Sequence, residues 1–418
     1  MAVSIEKLWH DYLIRSRWFQ GKGLPVTGVR LEPLDWYTTD SPVWVRSELA
    51  EVRLGRISHT YHLLVGYLPA GEGDPAALVG RTELAGRGMV DIVDAPRSPA
   101  AMAALLAALR SGTVPGITWE TAPPGPGLPT GVLPGEQSNT TVTIGETVLF
   151  KIFRRITEGQ NLEVEVLRAL GDSAITPRLI GTLADPGTGL GLGLFTGRIQ
   201  GARDGWKYTL RACREDRRIT GTMNRLGATL RTLHESLATV FPVASGDADA
   251  ISGRLLARLG AAARELPELE DLQDRLAPLL TLAPGAVDIQ RIHGDFHLGQ
   301  ALLSPTGWTI IDFEGEPLKS AEERAAPDSV WRDVAGLTRS LDYARSHHPE
   351  PGGDAARRWF EDARGAFLDG YASGSPLATD LLAAYEIDKT IYELLYEIRN
   401  RPDWAAIPRR ALAEAIAT

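Results

Sequence analysis

Two short segments on either side of an apolar strand constrain this chain more than any other feature. The first reads His293-Gly-Asp295-Phe-His297-Leu-Gly-Gln300, and the second Trp308-Thr-Ile-Ile-Asp312-Phe-Glu314-Gly-Glu316-Pro317. A carboxylate, an amide five residues on, and a second carboxylate at a strand end supply one base and two hard oxygen ligands in a set order. A lone Asp in such a turn commonly caps a strand. Two spaced elements in sequence point to chemistry instead. A zinc reading of His293 and His297 is weaker, because Gly294 opposes the helix that their spacing requires and the H-E-x-x-H glutamate is missing.

Phosphoryl transfer asks for this set: a carboxylate to orient the attacking hydroxyl and accept its proton, and oxygen ligands for Mg²⁺ on the phosphates. Asp295 is then the base, with Gln300 and Asp312 the metal ligands. The same chemistry needs a cation on the phosphates of ATP. The chain has six lysines against 38 arginines, so Lys151, embedded in the apolar strand Val148-Leu-Phe-Lys-Ile-Phe153, stands out. Burying an unpaired ammonium is costly. Glu165 on the following helix is the expected partner and Glu163 its rival; the alternative is an amine snorkelling from an edge strand. The preceding loop, Gly135 to Thr141, has one glycine. Its Ser138 and Asn139 can cradle phosphates together with backbone N–H groups. Adenine recognition by backbone groups points to Phe195 to Ile199, with Thr196 and Ile199 as the residues in question.

A third cluster runs from Asp388 to Trp404. On a helix, Glu393, Tyr396, Glu397 and Asn400 fall on one face. Carboxylates, an amide and the nearby Trp404 suit a hydrophilic sugar, and an acidic face suits an ammonium group. The competing reading is a solvated face neutralised by Arg399 and Arg401.

Composition bounds the rest. A length of 418 residues suggests two or three domains, and 44% apolar content is ordinary for a globular chain. A net charge of −9 argues against nucleic acid or anionic membranes as partners. The single cysteine, Cys213, excludes a disulfide scaffold. With no apolar leader and no long apolar run, the expectation is a cytoplasmic protein, monomer or homodimer. Ile5 to Arg15 and Ser98 to Leu109 read as helices, the latter opened by Ser98-Pro99. Val43 to Leu54 and Ser58 to Tyr67 read as strands, and Thr121 to Gly135, with five prolines, as a linker. Thr140 to Ile144 and Thr147 to Phe153 form a hairpin across Gly145-Glu146, and Leu190 to Ile199 is a buried strand. Leu162 to Leu170, Ala355 to Tyr371 and Leu377 to Arg399 have helical spacing.

Taken together with Arg17-Trp-Phe-Gln-Gly-Lys-Gly23, Glu136-Gln-Ser-Asn-Thr140 and Arg332-Asp333-Val-Ala-Gly-Leu-Thr-Arg339-Ser-Leu-Asp342-Tyr, these stretches resemble the bacterial maltokinase-like sugar kinases, relatives of the aminoglycoside phosphotransferases. The resemblance implies an α+β, two-lobe, protein-kinase-like fold. It implies an N-terminal cap over residues 1–85, an intermediate subdomain and N-lobe with the ATP-phosphate clamp over 86–198, and a helical C-lobe over 199–418. Carried onto this sequence, it makes Asp295 the base, Gln300 and Asp312 the Mg²⁺ ligands, Lys151 and Glu165 the phosphate anchor, and Asp333 a brace of the catalytic loop. Asp295, His297, Glu393, Tyr396, Glu397 and Trp404 become the sugar side.

Members of that family make maltose 1-phosphate from maltose or glucosamine 6-phosphate from glucosamine. The chain is somewhat shorter than the usual maltokinases, carries Gln20 where they tend to have a small residue, and has Ala301-Leu-Leu-Ser304 where an arginine is common. With the acidic helix face, these departures favour glucosamine, its ammonium paired with Glu393, Glu397 or Asp295. The alternatives are maltose, an aminoglycoside, or a kinase-fold module that binds without turnover.

Overall fold

The structure is a computed structural model describing residues 4–39, 41–134, 138–157, 159, 161–316 and 319–417. It divides into two compact units, residues 1–172 with 177–200, and residues 173–176 with 201–418.

In the first unit, α1 (Ile5–Leu13) is capped by Ser4 and lays Trp9, Tyr12 and Leu13 on a sheet. That sheet has β1 (Val26–Thr38), β2 (Trp44–Leu54), β3 (Ile57–Pro69), β4 (Leu78–Leu84) and β5 (Gly88–Asp94) in the antiparallel order β1-β2-β3-β5-β4. Strand β3 is buried on both faces. Tyr61, Leu63, Val65 and Tyr67 join Trp9, Trp18 and Phe19, while Leu64 and Leu68 meet the next helix, α2 (Pro99–Ser111). Ser98 caps α2, Pro99 fills its first turn, and Gly112 ends it in the left-handed region at φ 75°.

A second sheet follows, ordered β6-β11-β12-β9-β8-β7. Its strands are β6 (Ile117–Trp119), β7 (Thr130–Val132), β8 (Thr140–Ile144), β9 (Val148–Ile152), β11 (Leu179–Ala184) and β12 (Gly191–Gly197). Between β9 and β11, β10 (Arg155–Ile156) pairs with β3, and α3 (Leu162–Leu170) follows it. Two expectations change here. The first sheet runs on to Asp94, so a cap ending at residue 85 would divide the β4–β5 hairpin. The Pro-rich linker also contributes β7, which pairs with β8.

A buried polar knot binds the two sheets. Arg154 donates to both oxygens of Asp94 at 2.8 and 3.0 Å and to Thr140 Oγ1 at 2.8 Å, and Tyr12 donates to Asp94 Oδ2 at 2.9 Å. Fully buried His62 lies 3.2 and 3.1 Å from the carbonyls of Phe153 and Leu192, and its other nitrogen is 2.6 Å from Ser47 Oγ.

The second unit is mainly helical. After β13 (Arg203–Asp204) come α4 (Gly205–Arg214), α5 (Thr220–Val240), β14 (Ala244–Asp247) and α6 (Ala248–Glu265). The single turns α7 (Pro267–Glu270) and α8 (Gln273–Leu276) lead to β15 (Ala286–Ile289), which pairs with β14. Strands β16 (Ala301–Ser304) and β17 (Gly307–Ile310) form a hairpin joined by β13. Helices α9 (Ala321–Ala325), α10 (Trp331–Arg345), α11 (Asp354–Ala372), α12 (Thr379–Asn400) and α13 (Ala406–Ala417) complete the unit. Among the described residues, no helix is long and apolar enough to cross a membrane.

Candidate active site

On β9, Val148, Phe150 and Ile152 turn into the core, so Lys151 faces the other way. Its Nζ donates to Glu163 Oε2 at 2.7 Å. Glu163 is buried in the first turn of α3, whose cap, Asn161, accepts the Val164 N–H at 3.1 Å. This corrects the expected partner. Glu165 lies two residues on, about 200° round the helix, and is only half-buried. Of the phosphate loop, Gly135 to Gln137 fall outside the described residues. Ser138 is exposed, and Asn139 Oδ1 accepts the Arg154 N–H at 3.2 Å. Thr196 is buried in β12 opposite Leu149, and half-buried Ile199 lies two residues past that strand.

In the second unit, the loop before β16 hangs from Asp333 on α10. Asp333 Oδ2 accepts the His293 N–H at 2.8 Å, and Oδ1 accepts that of Gly294 at 2.9 Å. His234 on α5 lies 3.0 Å from Oδ2 and is itself 2.9 Å from the Tyr371 hydroxyl. Burial pushes the Asp333 carboxyl up, but His234 and the loop amides outweigh it and hold it below its ordinary value. Gly336, one turn along α10, lets the helix approach the loop: a Cβ there would sit 2.3 Å from the Phe296 carbonyl oxygen. Gly294, at φ 86°, makes the reversal that presents Asp295.

Backbone groups hold both histidines of this loop. His293 Nε2 lies 2.9 Å from Ile311 O, and His297 Nδ1 accepts the Gly299 N–H at 3.0 Å. They do not form a zinc pair. Burial pulls the His297 imidazole below its ordinary value, with Asp295 opposing.

Gln300 Nε2 donates to Asp312 Oδ2 at 3.1 Å. Asp312 adopts φ 67°, a left-handed conformation that Asp tolerates better than most residues. An amide oxygen, brought in by turning the Gln300 amide over, and a carboxylate at one point form a donor set that fits a hard divalent cation.

Lys389, from the middle of α12, reaches the same loop. Its Nζ donates to Asp295 Oδ1 at 3.0 Å and to Glu316 Oε1 at 2.9 Å. Sequence reasoning missed this residue. The available signal was scarcity, because a lysine between Ile387 and Ile391 in an Arg-rich chain is as conspicuous as Lys151. Burial pulls the Lys389 amine down, but Asp295 and Glu316 outweigh it and raise it. Glu316 moves oppositely: burial pushes it up, and Lys389, Arg332 and Lys319 hold it well below the usual carboxylate range.

The α12 face expected to be acidic is largely neutralised. Glu393 Oε2 accepts Arg339 Nη2 at 2.8 Å and Nε at 3.0 Å. Buried Glu397 accepts Arg401 at 2.8 and 2.7 Å and the Tyr343 hydroxyl at 3.1 Å. The Arg401 guanidinium lies over the Tyr396 ring at 5.3 Å and the Trp404 ring at 4.6 Å. Tyr396, Glu397 and Trp404 therefore meet in one cluster around Arg401. Glu393 faces α10. Each carboxylate counted on for a substrate ammonium, Asp295 included, already has a cation of the chain's own.

The sequence profile of the phosphotransferase enzyme family matches residues 131–377, and that of the maltokinase N-terminal cap domain matches residues 12–97. The chain belongs to the phosphotransferase enzyme family. It is an ATP-dependent phosphotransferase of kinase type, with that family's mixed α+β, protein-kinase-like fold and an N-terminal cap domain. A glucosamine kinase of Streptacidiphilus jiangxiensis is 28% identical over 317 residues, 67% of this chain and 72% of the relative. One from Mycolicibacterium smegmatis is 29% identical over 153 residues, 34% of this chain and 38% of the relative. Among solved structures, a glucosamine kinase in complex with glucosamine, ADP and inorganic phosphate is 21% identical, aligns over 99% of both chains and has a TM-score of 0.67.

Proposed function

We propose that this phosphotransferase converts glucosamine to glucosamine 6-phosphate at the expense of ATP, with Asp295 as the base. The observation that carries the chemistry is the loop held by Asp333, which presents Asp295 five residues before Gln300, itself in contact with Asp312. The substrate rests on the named glucosamine kinases to which the chain is similar.

In this reading the sugar hydroxyl donates its hydrogen bond to Asp295, which takes the proton as the oxygen attacks the γ-phosphorus in line. Lys151, held by Glu163, binds the phosphates, with Ser138, Asn139, Thr196 and Ile199 as further nucleotide contacts. Gln300 and Asp312 would hold Mg²⁺, which neutralises phosphate charge when bound. His297, Tyr396, Glu397 and Trp404 are assigned to the sugar, with Glu393 behind them.

One observation favours a second substrate. The carboxylates on α12 are paired with Arg339 and Arg401, which suits a neutral sugar, and the cap profile is that of maltokinases. Maltose, giving maltose 1-phosphate, is that alternative. ADP release with MgATP and glucosamine, glucose, N-acetylglucosamine, maltose or kanamycin tests the choice. Turnover of glucosamine alone supports the proposal, and turnover of maltose replaces it. Bound ATP with no turnover on any sugar would favour a binding module.

A further inference from the structure

We infer that Lys389 is a positioning residue for the acceptor base: its ammonium fixes one carboxylate oxygen of Asp295 and leaves the other for the sugar hydroxyl, with Glu316 fixing Lys389 in turn. This rests on the reading of Asp295 as the base.

The geometry is that of a strut. Lys389 is only 18% exposed and donates at 3.0 Å to Asp295 Oδ1 and at 2.9 Å to Glu316 Oε1. Glu316 is an immobile end for it, because its other oxygen, Oε2, is held by Arg332 at 2.9 Å and Lys319 at 3.1 Å. Arg332 is tied in turn to Asp328 at 3.4 Å, and Asp328 accepts the Tyr385 hydroxyl at 2.5 Å. The strut is thus seated on α10, α12 and the segment after β17. An Asp side chain turns freely about two bonds. A loop braced only through its backbone by Asp333 leaves that rotation open, whereas a lysine anchored at its far end closes it.

The arrangement suits phosphoryl transfer. A loose transition state asks the base to orient the hydroxyl more than to remove its proton early, so an ionised carboxylate of fixed direction serves better than a strong base of variable direction. It also sorts the groups of an aminosugar. An ammonium brought to Asp295 would meet the Lys389 charge, while a hydroxyl would not, so the substrate presents a hydroxyl here and keeps its amine elsewhere.

The test uses the full chain with MgATP and the sugar it turns over. Lys389→Met should lower kcat about 100-fold, with the ATP KM within about threefold of wild type. Lys389→Arg, which keeps the charge, should recover most of that loss. Added ethylammonium should raise the rate of Lys389→Ala at least about tenfold and leave wild type unchanged. A Lys389→Met enzyme with near-wild-type kcat, alongside an inactive Asp295→Asn, would overturn the inference and spare the base. An active Asp295→Asn would remove both. Equal losses in Lys389→Met and Lys389→Arg, with no ethylammonium rescue, would make the lysine a structural tie and also overturn it. If Lys389→Met does not fold, Glu316→Gln decides. It keeps the ammonium but releases its anchor, so kcat should fall about tenfold at constant ATP KM; an unchanged kcat would contradict the strut.

Discussion

Lys151 Nζ lies 2.7 Å from Glu163 Oε2, and this pair joins the strand β9 to the helix α3. Both side chains are largely buried, so removing either one takes a short ion pair from the other where water screens little. Lys151→Met should lower kcat/KM for ATP by about 100-fold or more, and Glu163→Gln by about tenfold. Glu165→Gln should stay within about twofold. Steady-state kinetics with ATP varied separates the two glutamates; a larger effect at Glu165 would reverse the assignment.

Asp333 carries the loop through two backbone amides, so Asp333→Ala strands the buried His293 N–H and the half-buried Gly294 N–H and leaves His234 with Tyr371 alone of its two side-chain partners. The expected cost is about 3 kcal/mol of stability, with a fall in kcat as Asp295 loses its setting. Denaturant unfolding and kinetics on the same preparation check this. Unchanged stability would mean that the loop is held by something other than Asp333.

His62 makes the first unit sensitive to acid. Burial, helped by Arg154, pulls its imidazole from 6.5 down to about 3. Between these values the unfolded chain holds a proton that the folded chain does not, so stability falls as pH drops below about 6.5 and is unaffected above it. Wild-type stability should fall by as much as about 1.4 kcal/mol per pH unit across that window. Denaturant melts at pH 7.5 and 5.5 should show a smaller difference for His62→Gln. Equal slopes in the two proteins would contradict a neutral buried His62.

Tyr396 and Glu397 on α12, and Trp404 just past its end, surround Arg401 and are expected to touch the sugar. Trp404→Ala and Glu397→Gln should raise the sugar KM at least about tenfold and leave the ATP KM within about twofold. Glu393→Gln should instead cost about 1 kcal/mol of stability, because buried Arg339 loses the charge of one of its two carboxylates and keeps Asp342. Matching effects on both substrates would remove this face from the sugar site.

What the sequence made legible was local. Ser98-Pro99 marked the start of α2, Gly145 turned the β8–β9 hairpin, and the spacing of Leu162, Val166, Leu167 and Leu170 matched α3. The motif at Asp295, Gln300 and Asp312 was legible because its parts lie close in sequence, on the segments that lead into and out of the β16–β17 hairpin. What stayed hidden was set by tertiary packing. Glu163 and Glu165 differ only in the helix face they occupy, and that is decided by where β9 lies. Arg339 meets Glu393 across 54 residues, and Lys389 meets Asp295 across 94. No short-range pattern carries those pairings, so the partner of Glu393 was hidden, whereas Arg401, four residues after Glu397, was within reach of the sequence. The first sheet ran past residue 85 because β5 buries Asp91 and Asp94, polar residues that interrupt a strand pattern.

The central claim is that Asp295 serves glucosamine phosphorylation. The most direct measurement is ³¹P NMR of glucosamine and MgATP incubated with wild type and with Asp295→Asn, with ATP affinity measured on both. Wild type should yield glucosamine 6-phosphate, and Asp295→Asn should be at least about 1000-fold slower with ATP binding nearly unchanged. A wild-type enzyme that forms no glucosamine phosphate, or an Asp295→Asn enzyme that forms it at the wild-type rate, would contradict the account.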